Sequence, residues 1–113
     1  MIPDEISGSP LSRNLFIDFD LYTDGDEEFK KELIDSMIDN LVEMQQVLQE
    51  ASKRNDARLF QGVCHKIKPT LEMLADVELL DTVGKLKVVV TDSVDITLLN
   101  KICKDIVQSL KQA

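Results

Sequence analysis

One long apolar stripe constrains the fold of this chain more than any other feature of its sequence. Hydrophobic residues recur along it at steps of four or three, namely Phe29, Leu33, Met37, Leu41, Met44, Leu48 and Ala51. This spacing puts one side chain per turn on a single helical face. Asp26 precedes the stripe as an N-cap, while Lys53 and Arg54 follow it with the charge that suits a helix C-terminus. The stripe therefore predicts a helix about 40 Å long with one face to bury.

A second stripe follows a short break at Asn55-Asp56, where Asp56 is placed to cap a new helix. Pro69 lies inside this stripe and has no N–H to donate to the carbonyl of His65, so a kink is expected near it. The apolar positions of this helix are Phe60, Val63, Ile67, Leu71 and Leu74.

Two further stripes complete the chain. Asp76 is the expected cap of a helix with an apolar face at Leu79 or Leu80, Val83, Leu86 and Val90. Gly84 and the run of three valines at 88–90 weaken this helical prediction and leave a strand as the alternative. Residues 91–95 are expected to form a loop, in which Asp95 caps the last helix. The apolar residues of that helix are Leu99, Ile102, Cys103, Ile106, Val107 and Leu110.

Four amphipathic helices with short joints predict an all-α fold, an antiparallel four-helix bundle that buries every stripe. The chain has 113 residues, enough for one domain. Residues 1–22 are assigned to an N-terminal arm, with a short helix near residues 11–16 and an extended piece after it, and residues 23–113 to the bundle. Leu11, Leu15 and Phe16 are expected to cap one end of the bundle, contact with a partner being the alternative.

Charge and composition argue against several classes of protein. With 13 basic against 21 acidic residues, the net charge of −8 disfavours nucleic acid or an anionic membrane as the main partner. No apolar run approaches about 18 residues, and the first residues lack the basic and apolar regions of a secretory signal. Cys64 and Cys103 suit a reducing compartment, so a cytoplasmic location is expected, although two cysteines could also form one disulfide bond.

His65 is the one candidate nucleophile, and the sequence contains no second histidine to act as a base. At about 100° per residue, the apolar positions of its helix are centred on the opposite side, so the imidazole is expected to point out of the bundle. An incidental surface histidine is the alternative. The residues that share this outer face with His65 are Arg58, Gln61, Lys68, Pro69 and Glu72.

The sequence around His65 is basic although the protein is acidic. Residues 53–71 carry five basic residues against a single acidic one, a net charge of +4, so the other 94 residues carry −12. Such an island is typical of a site that accommodates an anion. The cations at the end of the first long helix alternatively complement its dipole, but that does not account for Lys66 and Lys68. Gly62, one turn before His65, would permit close approach by another molecule.

The sequence carries no other familiar catalytic signature. It has no glycine-rich phosphate loop, and two cysteines with one histidine form no obvious zinc site. The acidic residues are scattered over capping and solvent positions. No metal site is therefore expected in the chain.

The segment His65-Lys66-Ile67-Lys68 resembles the motif of histidine-containing phosphotransfer (HPt) domains, which reads His-x-[hydrophobic]-Lys-Gly. The resemblance covers residues 11–113 and is clearest in the helical hairpin of residues 26–75. Pro69 stands where the family usually has the motif glycine, and Ala75 stands where a later glycine is common. Both substitutes are small or compact.

The resemblance implies a phosphorelay function. An HPt domain takes a phosphoryl group from the aspartyl phosphate of a response-regulator receiver domain and passes it to an aspartate of another receiver. By resemblance, Nε2 of His65 would accept the group, and Lys68 and Lys66 would steady its oxygens. The supporting or docking residues would be Arg58, Gln61, Gly62 and Pro69. The expected partners are receiver domains and a sensor or hybrid histidine kinase. The receiver supplies the Mg²⁺, so the chain itself is expected to need no cofactor and to have no autonomous kinase activity.

Two alternatives stay open. The dimerisation helices of sensor histidine kinases carry a His-Glu-[Leu/Ile]-[Arg/Lys]-x-Pro box, but here Lys66 replaces the acidic residue and the proline comes one position early. The second alternative is a helical interaction module in which His65 is never phosphorylated. Replacing His65 by glutamine separates this module from a phosphocarrier, because only the carrier loses its function.

Overall fold

The computed structural model of the chain describes residue 15 and residues 17–113. All regular structure in this part of the chain is helical, as predicted, and the strand alternative at residues 88–90 is not realised. In chain order the helices are α1 Phe19–Thr23, α2 Glu27–Arg54, α3 Ala57–Lys66, α4 Lys68–Leu74, α5 Val77–Leu86 and α6 Ser93–Lys111. None of these helices has both the length and the apolar character needed to cross a bilayer.

The region before α2 differs from its prediction. The extended piece expected up to Tyr22 is wrong, because residues 19–23 form α1. The carboxylate of Asp18 accepts the Leu21 N–H at 3.1 Å and caps this short helix. Phe19 holds it in place by entering the core. The predicted arm, the helix near residues 11–16 and the contacts of Leu11 and Phe16 lie outside the described residues, except that Leu15 is non-helical and packs against the core.

Helix α2 begins and ends as its sequence predicts. Asp26 accepts the N–H groups of Glu28 and Phe29, both at 3.0 Å, and Asn55 ends the helix in the left-handed conformation. The stripe from Met37 to Ala51 is buried, whereas Phe29 is 49% exposed. Phe29 lies beyond the end of α4. Asn40 of α2 donates a hydrogen bond to Thr70 of α4, so these two residues lie at the same level. Helix α4 ends one turn after Thr70, about 10 Å before it would reach the level of Phe29.

The predicted second helix is divided at Ile67 into α3 and α4. The break lies where the N–H that Pro69 lacks would have bonded the His65 carbonyl, and the proline occupies the first turn of α4. All five predicted apolar positions of the α3–α4 pair are buried, namely Phe60, Val63, Ile67, Leu71 and Leu74. The break thus interrupts the helix without exposing its apolar face.

Of the two caps predicted for the last two helices, the one for α5 is confirmed and the one for α6 is wrong. Asp76 caps α5 by accepting the Leu79 N–H at 2.9 Å, and Leu79 rather than Leu80 enters the core. Asp95 is not the cap of α6, because the helix begins earlier, at Ser93. Asp92 has the extended backbone of an N-cap and accepts the Asp95 N–H at 3.0 Å, so Asp95 lies in the first turn.

The longer helices contact one another in a closed ring. Helix α2 packs on α3 and on α6, and α5 packs on α6 and on α3. Their buried faces form one apolar core, which includes Cys64 and Cys103 as free thiols. Burial raises the pKa of Cys103 to about 12. The ring brings α5 beside the helix that carries His65, and this contact defines the site.

Candidate functional site

His65 lies in the last turn of α3, where its side chain is exposed as the helical phase predicts. Cys64 and Ile67 are buried because the helix turns them about 100° and 200° away from His65, toward the core. The imidazole borders a groove of about 630 Å³ between the α3–α4 pair and α5. The candidate nucleophile is therefore accessible from solvent and has a second helix beside it.

The α3–α4 wall of the groove contains three of the residues that the sequence places on the His65 face, Gln61, Lys68 and Glu72. The Lys68 ammonium lies 4.0 Å from Glu72 Oε2, and both side chains are about two-thirds exposed. An ion pair this long and this exposed is weak, about 0–1 kcal/mol. Lys68 can therefore turn toward an anion in the groove with little loss.

The α5 wall contains Leu80, Gly84 and Lys87. Gln61 Nε2 donates a hydrogen bond of 2.8 Å to the backbone carbonyl of Lys87 and so links this wall to α3. The ammonium of Lys87 makes no ion pair with any described residue. Lys87 is therefore the second cation of the groove, and its one side-chain-to-backbone hydrogen bond, from Gln61, goes to its carbonyl and not to its ammonium.

Cys64 lies at the floor of the groove. Burial raises the pKa of its thiol from 9.0 to about 11, although the nearby positive charge of Lys87 lowers it. The thiolate is the reactive form of cysteine. Because Cys64 is protonated at neutral pH, the imidazole of His65 is the better nucleophile of the two.

Lys66 lies on a different side of α3. Its ammonium donates hydrogen bonds to both carboxylate oxygens of Glu43 on α2, at 2.9 and 3.1 Å, and it does not line the groove. Lys66 and His65 are adjacent in sequence, but adjacent helical residues point about 100° apart. The charge of Lys66 is therefore largely balanced by Glu43 before any ligand arrives.

The remaining predicted residues are exposed on the α3–α4 pair but do not line the groove. These are Arg58, Gly62 and Pro69. A Cβ added to Gly62 would meet no atom within 4 Å, so neither packing nor backbone conformation requires glycine there. The structure thus brings His65, Lys68 and Gln61 together and leaves these three outside the group.

Sequence reasoning missed the residues that α5 contributes, above all Lys87 and Gly84. Lys87 gives no signal in the sequence, because it lies 22 positions after His65 and only the packing of α5 on α3 brings it near. Gly84 does give a signal, but an ambiguous one. A glycine inside a helix is destabilising by about 1 kcal/mol relative to alanine, so in the sequence it argues against a helix.

The groove is lined by one accessible imidazole and by two lysines, Lys68 and Lys87. A lysine ammonium is a compact point charge on a flexible stem and suits an anion whose position shifts during a reaction. Among the described residues, no group of three or more histidine, cysteine, aspartate or glutamate side chains is placed to hold a metal ion. What the groove offers chemically is nucleophilic attack on an anionic reactant.

Comparisons of the chain with protein-family models, with curated proteins and with solved structures found no match.

Proposed function

We propose that this protein is a histidine phosphocarrier of a two-component phosphorelay. The observation that carries the proposal is the exposed imidazole of His65 in a groove that also contains Lys68 and Lys87. The motif resemblance around His65 points to the same function. A carrier needs one presented nucleophile and a cationic surround, whereas an independent phosphotransferase also needs its own metal and nucleotide sites.

The reaction we propose is the attack of the neutral imidazole on the phosphorus of an aspartyl phosphate. A ring nitrogen of His65 forms the new P–N bond with its lone pair, and the P–O bond to the aspartate breaks. The aspartate leaves as a carboxylate with the bonding electrons. The other ring nitrogen keeps its proton, so atoms and charge balance without a further acid or base. The reverse step delivers the phosphoryl group to a second receiver.

Lys68 and Lys87 stabilise the charge on the transferring phosphoryl oxygens in this proposal. Lys68 is held only by a long contact to Glu72, and Lys87 is unpaired among the described residues. Either ammonium can therefore move to the phosphoryl group without breaking a strong interaction. Lys66 contributes less, because it lies outside the groove, on the side of α3 where it donates hydrogen bonds to Glu43.

The finer architecture belongs to the same proposal. We infer that α2, the α3–α4 pair, α5 and α6 are the four members of an antiparallel four-helix bundle, with α1 as an addition. The closed ring of helix contacts supports this inference, since each member packs on two others. The partners are receiver domains of response regulators and of hybrid or sensor kinases, and the Mg²⁺ of the reaction belongs to the receiver.

The proposal is tested by phosphoryl transfer from a panel of receiver domains labelled with a small phosphodonor. The wild-type chain and His65→Gln are compared in parallel. We expect label on the wild type that survives alkali and is lost in acid, as a phosphoramidate bond requires, and no label on the variant. His65 is exposed, so the variant is expected to keep the wild-type circular dichroism spectrum.

Label that persists on His65→Gln would contradict the proposal, because another residue would then be the acceptor. A folded wild type that takes no label from a broad panel would favour the alternative of a helical interaction module. In that case the cations around His65 would serve as a binding surface only.

A further inference from the structure

Two exposed glycines interrupt helices near His65, and only one of them borders the groove. Gly62 is in α3 and Gly84 is in α5, and Gly84 lies in the wall opposite the imidazole. A Cβ at either position would meet no atom within 4 Å, and neither glycine has a positive φ. The fold therefore gives no reason for glycine at position 84, although alanine would form a more stable helix.

The surface around Gly84 is open and combines exposed apolar side chains with charged ones, which on the side away from His65 are Asp81, Lys85, Asp92 and Asp95. Leu80, one turn before Gly84, is 42% exposed, and Val88, one turn after it, is 77% exposed. Leu80 and Gly84 border the His65 groove on one side and a second groove with Val88 on the other, so the surface is continuous across α5. We call Leu80, Gly84, Lys87 and Val88 the α5 surface. Exposed apolar side chains grouped in this way are typical of an interaction site.

Charge identifies the kind of partner that fits this surface. Lys87 is unpaired among the described residues, and Lys68 faces it across the groove with only a loose partner. The groove is therefore a local positive site on a protein whose net charge is −8. A complementary partner has an acidic pocket with an apolar rim, and an aspartyl phosphate in such a pocket places its anion beside His65.

We infer that the phosphoryl donor docks on the α5 surface, with Gly84 as the point of closest approach. This inference rests on the proposed function and adds to it the side from which the partner reaches His65. Because Gly84 has no side chain, the backbone of the partner can approach the imidazole closely. Glycine commonly serves this purpose where a backbone and a ligand come close together. On the α2 side of His65, the ion pair between Lys66 and Glu43 presents charged side chains instead.

The test compares Gly84→Ala with its matched control Gly62→Ala. Each variant adds one methyl group to open space, so both are expected to fold and to raise the midpoint of thermal unfolding by roughly 4 °C. Transfer from a labelled receiver domain is expected to slow about tenfold in Gly84→Ala, as overpacking of a close contact predicts, and to be unchanged in Gly62→Ala. Phosphoramidate, a small donor that needs no docking surface, is expected to label His65 equally in all three proteins.

A second variant, Val88→Glu, places a charge on a side chain that the fold leaves exposed. It is expected to slow receiver transfer at least as much as Gly84→Ala and to leave labelling by phosphoramidate unchanged. Wild-type rates of receiver transfer in both α5 variants would overturn the inference and leave the proposed function intact. A wild type that accepts label from no receiver would overturn the proposed function and this inference with it.

The α5 surface has one competing occupant, a second copy of this chain. Analytical ultracentrifugation of the wild type and of Val88→Glu distinguishes a second copy of this chain from a receiver domain as the occupant. A monomeric wild type supports the inference. A wild-type dimer that Val88→Glu dissociates, with receiver transfer unaffected, would assign the surface to self-association and overturn it.

Discussion

The two sides of His65 both carry a lysine, and the two lysines differ in whether their charge is already balanced. On the α2 side, Lys66 donates hydrogen bonds to both carboxylate oxygens of Glu43. On the α5 side, Lys87 has no acidic partner among the described residues, and its neighbours Gly84 and Leu80 leave the surface open. The lysine next to His65 in sequence is thus the less available one, because helical phase and packing decide which charge faces the groove.

The largest effect is expected from removing the two lysines one at a time. Lys87→Ala is expected to slow phosphoryl transfer to His65 about 10- to 100-fold, the range for losing one charge-assisted hydrogen bond. Lys66→Ala is expected to slow it less than about twofold, because Lys66 is held on the other side of α3. The measurement is the rate of label transfer from a phosphorylated receiver domain and, separately, from phosphoramidate.

Lys87→Arg serves as the control, since it keeps the charge and is expected to recover most of the rate. The hydrogen bond from Gln61 goes to the backbone of Lys87, so both Lys87 variants are expected to keep the wild-type unfolding midpoint. If Lys66→Ala and Lys87→Ala slowed phosphoryl transfer equally, the two lysines would not differ in their availability to His65, and the comparison would fail.

A smaller effect is expected on the pKa of Cys64, which depends on the positive charge of Lys87. The folded pKa of about 11 is above the ordinary value of 9.0, so the unfolded thiol ionises first. The free energy of unfolding therefore falls as pH rises from about 9 to about 11, by about 1.4 kcal/mol per pH unit for this thiol. Lys87→Ala removes a charge that favours the thiolate, so it is expected to raise the pKa of Cys64 further and extend the fall to higher pH.

The measurement is the ultraviolet absorbance of the thiolate against pH in a Cys103→Ala background, with Lys66→Ala as the matched control. An identical Cys64 titration in the two lysine variants would show that Lys87 does not face the groove floor in solution.

The smallest effect is expected from Glu43→Gln, which frees Lys66 without removing it. The Lys66 and Glu43 side chains are 65% and 38% exposed, so losing their ion pair is expected to lower the free energy of unfolding by less than about 1 kcal/mol. Transfer to His65 is expected to change less than about twofold, because the freed ammonium still lies on the α2 side. A several-fold acceleration, measured by receiver transfer, would mean that Lys66 reaches the phosphoryl group once released.

The features that the sequence predicted correctly depend on local physics. Asp26, Asp56 and Asp76 cap helices where the sequence places them, because an aspartate needs only the N–H groups two or three residues ahead. The outward position of His65 follows from the phase of a single helix. The break near Pro69 follows from one missing N–H group. None of these features requires knowledge of a neighbouring helix.

The errors arose where two local signals compete or where packing decides. Asp92 and Asp95 can each cap α6, and the helix begins after Asp92. Phe29 continues the apolar stripe of α2, yet it stays half-exposed because α4 ends before reaching it. Gly84 argues against a helix in the sequence, yet it lies inside α5, in the wall of the groove that His65 borders. Each case depends on the length or placement of a second element.

The sequence by itself determined the all-helical character of the described chain, most helix ends and the exposure of His65. These are properties of one helix at a time, set by side-chain periodicity and capping. Only the tertiary structure decided which cations share a groove with the imidazole, because α5 reaches α3 through packing that no local pattern encodes. Lys87 joins the site from 22 residues away, while Lys66 leaves it for Glu43, since a helix turns adjacent side chains toward different neighbours.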